Sequence, residues 1–166
     1  MPEPIPDGLD GWIHTVPRAG RLTWIGLRSG RREPVRAVDT TTAEVDLGLT
    51  GDRFDQAGGK RQVTLIQAEH LPVVAALAGL DAVDPADLRR NLVVAGLNVL
   101  ALKHQRFRIG TATFEGSGAC PPCSRMDEAL GPGGFQAMRG HGGITARVIT
   151  AGTIQVGDAV EALGPA

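Results

Sequence analysis

Apolar and polar positions alternate with period two over residues 22–27 and 43–47, which predicts half-buried strands there. Residues 63–66, Val-Thr-Leu-Ile, are β-branched and apolar on both faces, the pattern of a strand buried on both sides. The period then changes. Residues 68–77 read as a helix closed by Gly79, with Pro72 in the first turn, where a missing N–H costs nothing. Asp84 and Pro85 suit the N-cap and first position of a short helix over 84–89. Beyond it the pattern is again β: short, turn-bounded strands are predicted at 92–94, 106–109, 111–115, 145–149 and 153–156. Gly110 and Gly157 mark tight turns beside them, and a short helix over 124–130 ends at Gly131. Residues 1–21, broken by Pro and Gly, predict an irregular N-terminal extension, with 22–166 as a single domain. The expected class is mostly β with short α insertions (α+β), as a barrel or sandwich.

Composition narrows the function. The 17 Lys+Arg and 18 Asp+Glu give a formal charge of −1, so bulk charge does not drive binding to nucleic acid or an anionic membrane. Aromatics are 4% with no Tyr, which leaves few platforms for stacking single-stranded bases. No apolar run approaches the roughly 18 residues of a membrane span. The opening Met1-Pro2-Glu3-Pro4 lacks a basic segment leading into an apolar run, so a cytoplasmic protein is expected. Gly 23 and Pro 11 suit many short strands and turns.

Two cysteines cannot build a disulfide framework, and their spacing in Cys120-Pro121-Pro122-Cys123 points to reactivity instead. Cys123 leads into a predicted helix N-terminus, and Arg125 adds positive charge beside it. Both favour the thiolate, the form that attacks an electrophile or ligates a soft metal. Other readings compete. A structural zinc needs four ligands, whereas His14, His70, His104 and His141 are scattered. A thioredoxin-like dithiol wants a longer helix in a βαβ setting. Cys120 is either a resolving thiol or a small buried residue, and the second is favoured.

Six glycines over residues 131–143, together with Arg139 and His141, predict either an anion cradle or a flexible loop tip. Cations also recur in Gly51-Asp52-Arg53-Phe54, Gly59-Lys60-Arg61-Gln62 and Leu88-Arg89-Arg90-Asn91-Leu92. Each alone is ordinary surface. Arg89-Arg90-Asn91 stands out because an apolar run follows at once, and Arg with Asn suits phosphate recognition.

In this order, Gly51-Asp52-Arg53, Arg61-Gln62-Val63-Thr64-Leu65-Ile66, Arg89-Arg90-Asn91-Leu92 and Gly118-Ala119-Cys120-Pro121-Pro122-Cys123 resemble the MOSC domain, named for the C-terminal domain of molybdenum cofactor sulfurases. So do Gly140-His141-Gly142-Gly143 to Val148 and Gly152 to Asp158, which carries the resemblance from about residue 22 to 162. The resemblance implies a MOSC-like β-barrel and binding of the molybdenum cofactor (molybdopterin). It implies Cys123 as catalytic residue and molybdenum ligand, and Arg53, Arg89 and Asn91 as cofactor-binding residues. Arg139 and His141 join that set from the glycine loop. Pyridoxal phosphate binding comes only as a family-wide association. The expected activity is reduction of a small N-hydroxylated substrate, with electrons from an external redox protein. The alternatives are a sulfur carrier that takes a persulfide on Cys123 from a sulfur-donor protein, or a non-enzymatic molybdopterin-binding module.

Overall fold

A computed structural model describes residues 8–53 and 58–166; Met1 to Asp7 and Phe54, both used in the sequence reading, lie outside the described residues. The strands are β1 (Gly20–Arg28), β2 (Val35–Val38), β3 (Thr40–Glu44), β4 (Gly48–Leu49), β5 (Val63–Gln67), β6 (Leu92–Ala95), β7 (Gln105–Ile109), β8 (Ala112–Ala119), β9 (Ile144–Thr150), β10 (Gly152–Gln155) and β11 (Ala159–Pro165). The helices are α1 (Leu9–His14), α2 (His70–Ala78), α3 (Arg125–Leu130) and α4 (Gly134–Met138), with a 3-10 turn at Val99–Leu102.

Seven strands run in the order β11-β7-β8-β9-β5-β6-β1, and pairing of β1 with β11 closes them into a barrel. β2 extends the sheet beyond β1, while β10, β3 and β4 form a small second sheet. The β5–β6 pair is parallel, in a barrel otherwise joined antiparallel. Parallel neighbours need a crossover, and α2 with the turns after it supplies one.

That crossover explains the continuous apolar run of β5. Leu65, Leu92 and Val94 point into the barrel with Leu22, Ile25 and the stacked rings of Phe107 and Phe114. Ile66 and Val93 point outward, under a second core with Val74, Met126, Leu130 and Met138 from α2, α3 and α4. A strand covered on both faces has no solvent side to record in its pattern.

Several expectations change. Residues 43–47 are not one strand: Asp46 has φ 68°, Leu47 N–H bonds Glu44 C=O, and the chain reverses from β3 into β4. Apolar Val45 and Leu47 are left exposed at this reversal. Residues 84–89 form successive tight turns rather than a helix. Asp84 does cap Ala86 N–H as expected, but Arg89 at φ 56° ends the run before an α-helical bond forms. Within 1–21, expected irregular, the chain forms α1, and His14 Nδ1 lies 3.1 Å from Ala101 C=O. The strand at 111–115 continues to Ala119 as β8, and β2 and β11 were not anticipated. Among the described residues no helix is long and apolar enough to cross a membrane.

Candidate functional site

Four chain segments converge at the end of the barrel where β1 finishes and β6 begins. Arg28 ends β1, Gly30 and Arg31 follow it, Arg53 follows β4, Arg89 precedes β6, and Arg125 opens α3; together they line a cavity of about 320 Å³. Five guanidiniums on one cavity make a local positive field that the near-zero net charge of the chain conceals.

The convergence is held by buried polar groups. The Asp52 side chain, 1% exposed, accepts from Arg28 N–H at 2.6 Å, from Arg28 Nε at 3.2 Å and from Nη2 at 2.9 Å. Arg53 N–H donates to Arg28 C=O at 2.6 Å, which fixes the start of the arginine segment against β1. Asn91 is fully buried. Its Oδ1 accepts from Thr64 N–H at 3.1 Å, Thr64 Oγ1 at 3.3 Å and Arg28 Nη2 at 3.3 Å, while Nδ2 donates to Gly26 C=O at 3.0 Å. Asn91 is therefore spent on joining β1, β5 and β6 and on seating Arg28.

Arg89 donates to Glu33 C=O at 2.6 Å and Gly30 C=O at 3.1 Å, so it braces the turn that carries Arg31. Partial burial, then the like charges of Arg28 and Arg125, lower its affinity for a proton below the ordinary guanidinium value. The negative charge of Asp52 opposes that shift. Cys123 lies two residues before Arg125, which lines the cavity. A second cavity of about 310 Å³ shares Arg89 and Arg125 and is also lined by Arg32, Asp87, Met126 and Glu128.

Cys123 is exposed and Cys120 buried, both as free thiols. Cys123 precedes α3 as expected: its C=O accepts from Met126 N–H at 3.0 Å, and Ser124 stands at the N-cap position without a side-chain capping bond. Cys120 N–H donates to Gly143 C=O at 2.9 Å, which ties the cysteine segment to the glycine-rich one.

Part of that glycine-rich segment is helical. Residues 134–138 form α4, packed on α3 through Ala137 and Met138. Gly143 has φ 84°, and a Cβ there would lie 1.8 Å from Leu65 C=O, so glycine is required for close backbone contact. Arg139 is exposed after α4, and the His141 ring packs edge-on against His70 at 5.3 Å between centroids. Neither lines the arginine cavity. Of the residues expected at the site, Arg53 and Arg89 are brought together there, Cys123 lies two residues before the cavity-lining Arg125, and Asn91 acts from beneath.

Sequence reasoning missed Arg28 and Arg31 as site residues, and Asp52 as the anchor of Arg28. The dense cations of Arg28-Ser29-Gly30-Arg31-Arg32, straight after an apolar strand, were the available signal.

Fold and site together define a class: a small closed barrel with an exposed cysteine beside an arginine-lined cavity. The chain belongs to the MOSC domain family, whose sequence model matches residues 44–161. The fold is similar to that of YuaD from Bacillus subtilis, at TM-score 0.76 and 17% identity, covering 89% of this chain and 97% of that one. It is also similar to YiiM from Geobacillus stearothermophilus, at TM-score 0.70 and 16% identity, covering 87% of this chain and 75% of that one. YiiM from Escherichia coli gives TM-score 0.67 and 22% identity, covering 88% and 71%. At these identities the likeness establishes the fold. No curated protein sequence matches the chain significantly.

Proposed function

We propose that this MOSC protein binds the molybdenum cofactor and reduces small N-hydroxylated compounds, with Cys123 as molybdenum ligand. The observation that carries the reading is an exposed thiol two residues from Arg125, one of five arginines that line a single cavity. A thiolate is a soft donor suited to a heavy transition metal, and guanidiniums recognise phosphate through paired N–H groups. The donor set therefore fits a metal carried on a phosphorylated organic group. Arg53 and Arg89, with Arg28, Arg31 and Arg125, would hold the phosphate, and Asp52 and Asn91 would keep Arg28 in place. When bound, the cofactor supplies two-electron chemistry, R–NH–OH + 2e⁻ + 2H⁺ → R–NH₂ + H₂O, with the electrons drawn from an external redox protein. The second cavity, with Asp87 and Glu128 as acceptors and Met126 as apolar wall, offers the substrate a place against the same arginines.

Protein purified from a host that makes the cofactor is expected to carry stoichiometric molybdenum and pterin, and Cys123→Ser to lose the molybdenum. Wild-type protein free of molybdenum from such a host overturns the reading.

A second reading rests on the exposure of Cys123 and the burial of Cys120: a sulfur carrier. There the Cys123 thiolate attacks a donor persulfide, R–S–SH + Cys–S⁻ → R–S⁻ + Cys–S–SH, and a buried Cys120 does not intercept the product. A mass gain of about 32 Da after incubation with a persulfide donor, reversed by thiol reductant, would favour it.

A further inference from the structure

Arg90 is 6% exposed, and among the described residues every hydrogen bond of its guanidinium goes to a backbone carbonyl: Nε to Gly142 at 2.9 Å, Nη1 to Leu88 at 2.9 Å and Nη2 to Cys120 at 3.4 Å. No carboxylate among the described residues pairs with it. A buried cation without a counter-ion is costly, and a barrel gains nothing from it that an apolar residue would not supply. Its three acceptors are informative. Leu88 lies in the turn that carries Arg89, Cys120 opens the cysteine segment, and Gly142 lies in the glycine-rich segment.

The link from Cys120 to Cys123 is stiff. Pro121 and Pro122 lock two consecutive φ angles near −65°, so the orientation of the Cys120 peptide is passed along to Cys123. Cys120 is held on its N–H by Gly143 and on its C=O by Arg90, and Cys123 is held on its C=O by Met126 N–H. Gly142 leaves the room this requires, since a Cβ there would lie 2.2 Å from Cys120 C=O and 3.1 Å from Arg90 Nη2.

We infer that Arg90 is a positioning residue: it sets the Cys120 peptide, and through the two prolines the Cys123 thiol, against the Arg89 side of the cavity. This rests on the proposed role of Cys123 as metal ligand, and one arm of its test does not. Lysine keeps the charge but not the planar fork that reaches three carbonyls, so Arg90→Lys is the informative substitution.

Native protein is treated with N-ethylmaleimide and its intact mass measured, and molybdenum is assayed in parallel. Wild type is expected to take one label, on exposed Cys123. Arg90→Lys is expected to take two as the Cys120 segment comes loose, and to lose molybdenum about tenfold or more, the usual effect of removing a group that orients a metal ligand. Val160→Ala, a truncation in the barrel interior, is the control for general destabilisation and should take one label and keep its metal. Gly142→Ala, which pushes on the same contact from the other side, should behave as Arg90→Lys does and decides the matter if the latter fails to fold. A single label with wild-type molybdenum in Arg90→Lys overturns the inference, as does double labelling of Val160→Ala. If wild type itself lacks molybdenum, the proposed function fails while the label count still decides the role of Arg90.

Discussion

Replacing Asn91 by Ala separates the structural work of this residue from the contact with a ligand that its sequence context suggested. In the folded protein Asn91 is fully buried, and its side chain is the partner of Thr64 N–H and Gly26 C=O. Truncation strands one donor and one acceptor where water does not reach. Each stranded group costs about 1–3 kcal/mol, so the expected loss is about 2–6 kcal/mol. Against a total stability of about 5–15 kcal/mol that is a large fraction, yet it leaves a folded population. Arg28 loses only its 3.3 Å contact with Asn91 and keeps both side-chain bonds to Asp52, so the arginine cavity should persist. In urea, with a slope of about 2 kcal/mol per molar, the midpoint should fall by about 1–3 M at unchanged slope. The folded variant should retain its molybdenum. A variant as stable as wild type that loses its metal would refute the reasoning and return Asn91 to direct contact with the cofactor.

Asp52→Ala removes the partner of Arg28 from beneath the cavity. Loss of half a buried pair costs about 3–5 kcal/mol when both members are enclosed. Here the Arg28 side chain is 22% exposed, so water takes up part of its charge and about 2 kcal/mol is expected. A double-mutant cycle with Arg28→Met should give a coupling above about 1 kcal/mol, and additivity would sink the pairing as a stabilising contact. His70 governs an acid response. Burial first, then the charge of His141, lower its pKa from 6.5, with Glu69 opposing. The unfolded chain therefore binds this proton more readily than the folded one, so stability is full above pH 6.5 and declines as pH falls below it. His70→Gln should flatten that part of a plot of urea midpoint against pH, and an unchanged slope would show that other groups set it.

Much of the barrel was legible from local pattern. Val63–Gln67, Leu92–Ala95 and Ile144–Thr150 announce themselves by β-branched apolar runs, and the α2 stop by Gly79, which takes the left-handed φ of 72° that glycine permits. The failures share a cause. Val45 and Leu47 continue an alternating pattern, but Asp46 in a left-handed conformation turns the chain, and one backbone angle outweighs the apolar signal. The glycines near residue 140 advertised an anion cradle or a flexible loop, whereas Gly142 and Gly143 are crowded by the carbonyls of Cys120 and Leu65. Crowding by residues distant along the chain leaves no trace in a local window.

Sequence alone determined the chemistry available: a cysteine leading into a helix start, scattered arginines, a near-neutral chain poor in aromatic platforms, and a motif order matching one family. These follow from residue type and spacing, which folding does not alter. Tertiary structure decided which cations act together. Arg28, Arg53, Arg89 and Arg125 are far apart in the chain and meet because antiparallel pairing of β1 with β6 sets the end of one strand beside the start of the other, with the segment after β4 and the start of α3 against them. It also gave adjacent residues opposite fates, sending Arg89 to the cavity and Arg90 beneath the cysteine segment. The side-chain directions at that junction follow from the left-handed turn at Arg89, and no period in the pattern of residues encodes it.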